Sequence, residues 1–222
     1  MNLDKQLWER NIRRYNLVYP SEHVVRFLAK TYGDIDKSTV KLLDFGCGSG
    51  RNTYMMLEQG YNVYAVDCNE FSLEIVRGMA ESQGKTITTK RNDETDIPFE
   101  DDLFDCIIAF GATFLLPDAK RRVLMSNLSR VLKPSGKLFA NWRTTNDFLY
   151  QKGKEIEKDV YLLDDRCAQF GLAGMTYYFS TLSDLKELYA EIGLTVENVD
   201  KLEFYINNMT VCNSHFHIWA RK

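Results

Sequence analysis

Apolar and polar positions along the chain alternate between two periods. Short apolar runs, typical of strands buried on both faces, occur at Lys41 to Phe45, Asn62 to Val66, Thr86 to Arg91, Phe104 to Phe110 and Lys137 to Asn141. Segments with helical spacing lie among them, at 52–59, 71–82 and 118–132. This order predicts βαβ units and a mostly parallel sheet with helices on both faces.

The two ends of the chain follow other patterns. Helical spacing at Leu3 to Tyr15 and Glu22 to Tyr32 predicts two helices ahead of the sheet. Residues 144–180 have weak periodicity and hold a mixed-sign run, 152–159, of the kind usual in a solvated loop or helix face. A predicted helix at 182–192 then precedes two β-rich runs, 195–205 and 214–220. We therefore expect one domain, 1–222, divided into 1–35, 41–142, 144–180 and 181–222.

Glycines and carboxylates gather where the first two predicted strands end. The run from Asp44 to Asn52 reads D-F-G-C-G-S-G-R-N, so Arg51 stands where dinucleotide-binding loops carry their third glycine. A carboxylate at Asp44 would repel a pyrophosphate, but it suits a ligand with an ammonium group. Asp67 ends the second strand, where an acid can accept hydrogen bonds from two ribose hydroxyls. S-adenosylmethionine (SAM) has the ammonium group and the ribose, and has no phosphate.

From Lys41 to Trp142 the chain resembles the class I SAM-dependent methyltransferases. The glycine run and the acid at Asp67 match two motifs of that family in register. Residues 92–105, N-D-E-T-D-I-P-F-E-D-D-L-F-D, are similar to its adenine-contacting loop, and 130–138, R-V-L-K-P-S-G-K-L, to its entry into the fifth strand. The resemblance implies a Rossmann-like, doubly wound, seven-stranded sheet, mostly parallel with an antiparallel C-terminal strand. It also implies methyl transfer from SAM that leaves S-adenosylhomocysteine (SAH).

The resemblance assigns a set of cofactor-binding residues. It places the glycine loop around the methionine half of SAM, with Asp44 near the amino group and Asp67 at the ribose. It places Asp93 and the backbone of Glu94 at the adenine. The full set is Tyr15, Tyr19, Asp44, Gly46, Cys47, Gly48, Gly50, Asn52, Asp67, Cys68, Asp93, Glu94, Phe110 and Gly111.

Several of these roles have a plainer alternative. Asp44 can bond backbone N–H groups of its own turn, and Asp93 can belong to a solvated cluster of acids. Phe110 and Phe114 can be core residues, and Tyr15 and Tyr19 can pack on an amphipathic helix. His215 and His217 alternate on one strand and so share a face, either as a base for the acceptor or as structural imidazoles. Since positioning dominates methyl transfer from a sulfonium, no catalytic residue is assigned. No metal is expected, because no ligand set has metal spacing.

The residues after the fourth strand favour a small-molecule acceptor. They read F-G-A-T at 110–113, whereas enzymes that methylate exocyclic amino groups of bases usually have Asn or Asp, two prolines and an aromatic residue there. A formal net charge of −3 with dispersed basic residues disfavours a nucleic-acid partner. We expect 144–180 and the N-terminal segment to form a mobile cover that selects the acceptor. Two alternatives remain: a non-catalytic SAM-binding regulatory or scaffold subunit and, less favoured, an NAD(P)-dependent oxidoreductase.

Cysteine usage and hydropathy bear on location. The five cysteines have neither disulfide-framework nor C-x-x-C spacing, so we expect them to be reduced. The longest apolar stretch, 106–116, is too short to span a bilayer, and residues 1–14 lack the apolar core of a signal peptide. We therefore expect a cytoplasmic monomer or homodimer with no membrane partner.

Overall fold

A seven-stranded sheet organises the chain in the computed structural model, which describes residues 5–14 and 17–222. Its strand order is β3-β2-β1-β4-β5-β10-β9, and β10 runs antiparallel to both of its neighbours. The strands are β1 (Lys41–Phe45), β2 (Asn62–Asp67), β3 (Thr88–Arg91), β4 (Phe104–Ala109), β5 (Leu132–Arg143), β9 (Thr195–Ile206) and β10 (Val211–Arg221). The predicted fold, mostly parallel with one antiparallel strand at the C-terminal end, is confirmed.

Helices cover both faces of this sheet. They are α1 (Lys5–Arg14), α2 (Glu22–Tyr32), α3 (Arg51–Glu58), α4 (Glu70–Ser82), α5 (Asp118–Val131) and α6 (Leu182–Glu191). Alternate residues of β4 enter two cores: Cys106 and Ile108 pack with residues of α2 and α3, while Ile107 and Ala109 pack with residues of α5 and α6. Because both faces are buried, β4 is apolar without a period of two. No helix among the described residues is long and apolar enough to cross a bilayer.

The segment after β5 is more regular than its sequence indicates. It forms a second, antiparallel sheet of three strands, β6 (Gly153–Glu157), β7 (Val160–Leu163) and β8 (Thr176–Tyr178), with a 3-10 turn at Asp165–Phe170. The assignment of 152–159 to a solvated loop or helix face is therefore wrong. Those residues supply edge strand β6, whose side chains are half-buried or exposed and whose pairing depends on β7. An exposed edge strand has no buried face to impose alternation, so its sequence resembles that of a loop.

Candidate active site

A cavity of about 440 Å³ opens at the carboxyl ends of β1, β2, β4 and β5. This is where open α/β sheets bind ligands, and its volume lies in the range of roughly 300–1,000 Å³ typical of small-molecule sites. Strand loops, α1 and the segment after β5 all contribute to its lining. The residues predicted to bind the cofactor that line the cavity are Gly46, Cys47, Gly48, Asn52, Asp67, Cys68, Glu94, Phe110 and Gly111.

The three glycines of the loop after β1 occupy their positions for different structural reasons. Gly46 has φ +70°, and a Cβ there would lie 2.6 Å from the Cβ of Ala112. Gly48, with φ +54°, meets no such obstacle and lines the cavity. Gly50 does not line it. This residue caps α3 at φ +80° and approaches the Sδ of Met79, 2.9 Å from an added Cβ, so its role is close packing against α4.

Asp67 has the bonding expected of a ribose acceptor. Its Oδ2 accepts a hydrogen bond from the Gly48 N–H and its Oδ1 from the Asn69 N–H, each at 2.9 Å. Burial raises the pKa of this carboxyl above its ordinary value, against the opposing effect of those N–H groups. Cys68 also donates to this carboxylate, which lowers its pKa against the effect of burial. Asp67 lines the cavity at the end of β2, where an acid can accept hydrogen bonds from a pair of ribose hydroxyls.

Asp44 lies beneath the cavity wall rather than on it. Its carboxylate is 2 % exposed and accepts a hydrogen bond from the Thr53 hydroxyl at 2.5 Å. Burial raises its pKa to about 6, and the Thr53 hydrogen bond partly opposes that rise. The structure thus does not bring Asp44 into the cavity lining with the other residues predicted from the sequence.

The loop after β3 brings one of the two residues predicted there to the cavity, together with Asn92, which was not predicted. Asn92 and Glu94 line the cavity, whereas Asp93 between them is exposed. The Oδ1 of Asn92 is buried and accepts no hydrogen bond within the described residues, which suits the exocyclic amino group of an adenine. Glu94, at φ +44°, forms an ion pair with Lys120 of α5. The left-handed φ of Glu94 turns the loop at this point, and Asp93 stays outside the cavity lining.

The N-terminal segment reaches the cavity through residues other than the two tyrosines. Tyr15 lies outside the described residues, and Tyr19 is 83 % exposed and absent from the lining. Instead α1 contributes Trp8, Asn11 and Ile12. Two hydrogen bonds join the residues between α1 and α2 to the glycine loop and the start of α3. The Ser49 hydroxyl donates to the Leu17 carbonyl at 2.8 Å, and the Ser21 N–H donates to Asn52 Oδ1 at 3.0 Å.

The segment after β5 lies over the cavity, where the sequence places it. Its Tyr178 N–H donates to the carbonyl of Phe114 at 2.8 Å, and its Gly171 carbonyl accepts from Asn11 Nδ2 at 2.8 Å. The segment is thereby bonded to the loop after β4 and to α1. Phe170, Leu172 and Tyr177 from it line the cavity. The predicted mobility of this cover stays a prediction.

The far end of the cavity holds a polar and aromatic cluster that the sequence only partly indicates. His215 lines it, but His217 does not; the His217 ring lies 4.3 Å from that of His23. Burial lowers the pKa of His215 to about 3 and that of His217 to about 4, and the Arg143 guanidinium adds to the first shift. Neither imidazole is therefore a strong base. Asn141 and Arg143, which sequence reasoning missed, stand at the polar end of β5, and that position was the available signal.

The described residues include no group of three or more histidine, cysteine or acidic side chains that could hold a metal ion. All five cysteines are free thiols, and burial raises the pKa of Cys47 well above its ordinary value.

The fold and the cavity define a nucleoside-binding α/β domain, and comparison with known proteins makes this specific. Residues 42–136 match the family model described as a methyltransferase domain. This chain is similar in fold to the crystal structure of a Burkholderia thailandensis 1,6-didemethyltoxoflavin-N1-methyltransferase with bound 1,6-didemethyltoxoflavin and SAH. The TM-score is 0.72 and the sequence identity 17 %, over 98 % of this chain and 84 % of that one. At that identity the likeness concerns the fold. Over residues 42–136 the chain matches a methyltransferase domain, its fold is that of solved SAM-dependent methyltransferases, and the oxidoreductase alternative is not favoured.

Curated relatives act on different acceptors. The tRNA N(3)-cytidine methyltransferase METTL2 of Gallus gallus is 25 % identical over 81 % of this chain and 50 % of its own length. The cypemycin N-terminal methyltransferase of a Streptomyces species is 26 % identical over 86 % of this chain and 88 % of its own. The chain spans about half or less of the first curated relatives that it matches.

Proposed function

We propose that this chain transfers a methyl group from SAM to a small-molecule acceptor. The observation that carries the proposal is the composition of the cavity at the carboxyl ends of the strands. One part of its lining, with Asp67, Gly48 and Asn92, suits a nucleoside; another part, with Phe114 and His215, remains for a second molecule. A non-catalytic SAM-binding subunit would not require that second part.

The cofactor fits the residues present. The Asp67 carboxylate at the end of β2 suits the ribose, the buried Oδ1 of Asn92 suits the adenine amino group, and the wall at Gly48 and Gly111 is open because both lack a Cβ. When bound, SAM supplies a methyl group already activated by its sulfonium. The chain then has to bind, orient and desolvate two molecules, and such positioning contributes roughly 7–11 kcal/mol to comparable reactions.

Exclusion of water falls to the cover. The bond from Asn11 to Gly171 joins α1 to the segment after β5, and the bond from Tyr178 to Phe114 joins that segment to the loop after β4. A cavity closed in this way admits a compact acceptor more readily than a folded nucleic acid. The relative METTL2 nevertheless makes a tRNA base the second candidate acceptor.

Two measurements test the proposal. Calorimetric titration with SAM, SAH, NAD and NADP is expected to show binding of the first two in preference to the dinucleotides, and tighter binding of a dinucleotide would overturn it. Incubation with methyl-labelled SAM and either a metabolite extract or bulk tRNA then separates the acceptors. We expect label in small molecules; label confined to tRNA would transfer the assignment to the second candidate. Absence of label from both, with SAM bound, would support a non-catalytic subunit.

A further inference from the structure

The polar end of the cavity is built on two adjacent strands. His215 of β10 is in register with Arg143 of β5, and His217 with Asn141. Residues paired across an antiparallel ladder share a face, so all four side chains project from the same side of the sheet. Asn141, Arg143 and His215 line the cavity.

Asn141 fixes the hydrogen-bonding state of His215. The Gly111 N–H donates to Asn141 Oδ1 at 2.6 Å, which leaves the Nδ2 of that amide as a donor. This Nδ2 lies 3.3 Å from His215 Nδ1, and a donor at that distance requires an unprotonated ring nitrogen. The network therefore assigns the imidazole proton to Nε2. Burial and the positive Arg143 guanidinium both favour this neutral form.

The Nε2–H of His215 has no partner among the residues that the structure describes, although the ring lines the cavity. Arg143 also has a donor without a partner among the described residues. Its Nη1 donates to the Asp147 carboxylate at 2.7 Å, whereas its Nε is buried without a partner in the described part of the chain. Buried donors in native proteins are usually paired, so the unpaired Arg143 Nε, beside the half-buried His215 that lines the cavity, indicates a ligand that supplies acceptors.

Asp147 holds Arg143 in place rather than competing for the cavity. Its carboxylate is fully buried and also accepts from the Ser214 N–H and the Leu149 N–H, each at 3.0 Å. The guanidinium lies 5.7 Å from the ring centre of Phe114 and 5.3 Å from that of Tyr177. The two donors are thus next to aromatic walls.

We propose that Arg143 and His215 together donate hydrogen bonds to an oxygen of the methyl acceptor, and that Phe114 and Tyr177 select an acceptor with a planar ring. The acceptor class is a small aromatic or conjugated compound that bears a carbonyl or carboxylate oxygen. Both residues position the acceptor, and His215 takes no proton from it. This inference deepens the proposed function and rests on it.

The test uses nitrogen-15 spectroscopy of the imidazoles in the SAH-loaded protein. The chain has three histidines, so His215→Phe assigns the signals of His215 directly. We expect a pyridine-like Nδ1 and a protonated Nε2 that persist from neutral pH down to about pH 5. A ring that is protonated near pH 6, or that carries its proton on Nδ1, would overturn the assignment.

Three fragment probes then examine the donor pair. Sodium benzoate and benzamide present an oxygen on a planar ring, and benzylamine presents a cation on the same ring. We expect the first two to shift the His215 Nε2–H signal and benzylamine to leave it unchanged. Replacement of His215 by Phe should weaken benzoate binding about two- to tenfold, the size of one hydrogen bond, and His215→Gln should restore part of the loss. Arg143→Gln should weaken benzoate more than benzamide.

Failure of the proposed function can be distinguished from failure of the donor pair. A protein that does not bind SAH by calorimetry would contradict the proposed function itself. One that binds SAH, while no probe perturbs His215 or benzylamine binds as well as benzoate, would contradict only the donor pair. Equal benzoate affinity in the wild type and His215→Phe would also contradict the donor pair. Because the substitution keeps an aromatic ring of similar size, it tests the hydrogen bond and not the packing.

Discussion

The carboxylate of Asp67 accepts a hydrogen bond from the backbone N–H of Gly48 at 2.9 Å. The acid at the end of β2 thus holds the turn that follows the neighbouring strand β1. A residue that orders the glycine loop and also faces the cavity connects the fold directly to ligand binding. This relationship makes the outcome of substitution at Asp67 more informative than a test of binding alone.

Replacing Asp67 with Ala is expected to lower SAH affinity at least tenfold, since hydrogen bonds to a charged group contribute about 1.5–3 kcal/mol each. The free energy of unfolding should also fall by about 1–3 kcal/mol, because the Gly48 and Asn69 N–H groups lose their acceptor. Calorimetry and urea unfolding measure the two effects. Asp93→Ala is the matched control, being an exposed acid outside the cavity lining. Equal SAH affinity in both variants would remove Asp67 from the site.

Gly111 and Gly60 provide a matched pair. Both have φ +87° and no atom within 4 Å of an added Cβ, but only Gly111 lines the cavity. Replacement of either glycine with Ala should lower the free energy of unfolding by about 1–2 kcal/mol, the usual penalty for a left-handed conformation. Only Gly111→Ala should weaken ligand binding, because its methyl group enters the space beside Asn141. Similar SAH and acceptor affinities in both variants would show that this wall does not contact the ligands.

Sequence patterns predicted the elements whose signals are local. The apolar run of β4 and the glycines after β1 are recognisable because burial on both faces and positive φ act on neighbouring residues. Strand β6 was missed because its pairing partner β7, and not its own periodicity, stabilises it. Local patterns therefore predicted the central sheet far better than the segment over the cavity.

The same distinction holds within the candidate site. Asp67 could be named because its place at a strand end follows from chain order. The presence of Asn92 in the lining in place of Asp93 depends on how the loop turns, with φ +44° at Glu94. The link from Asn141 to His215 spans 74 residues and requires the register of β5 and β10. A single sequence does not give that register.

Two histidines of β10 should destabilise the fold as the pH falls below neutral. His215 and His217 have pKa values lowered to about 3 and about 4, whereas the ordinary value is 6.5. Between these limits the unfolded chain binds protons that the folded chain does not, so the free energy of unfolding decreases with decreasing pH. The double change His215→Phe with His217→Phe should flatten this decrease in urea unfolding between about pH 7.5 and pH 5.

Asp44 supplies the control for that experiment. Its pKa is raised to about 6, so it acts in the opposite direction and destabilises the fold progressively as the pH rises from about 4 to about 6. With Asp44→Asn, the loss of stability on acidification should become steeper than in the wild type. A double histidine variant that loses stability on acidification as strongly as the wild type would show that these imidazoles are not the cause.

The bond from Asn11 Nδ2 to the Gly171 carbonyl, 2.8 Å long, joins α1 to the segment after β5 across 160 residues. If these two parts form the cover, Asn11→Ala should speed the dissociation of SAH several-fold, because a net hydrogen bond contributes about 0.5–1.5 kcal/mol. Stopped-flow displacement of SAH measures that rate. Arg10→Ala changes an exposed residue of the same helix and should leave the rate unchanged.

Hydrogen exchange should separate a mobile cover from a rigid wall. In the apo protein we expect fast exchange in α1 and residues 144–180, with protection when SAH is added, and weaker protection in Asn11→Ala. Exchange that is already slow without ligand, together with an unchanged dissociation rate in Asn11→Ala, would contradict the cover. Selection of the acceptor would then have to come from the fixed polar side chains at the ends of β5 and β10, which are Asn141, Arg143 and His215.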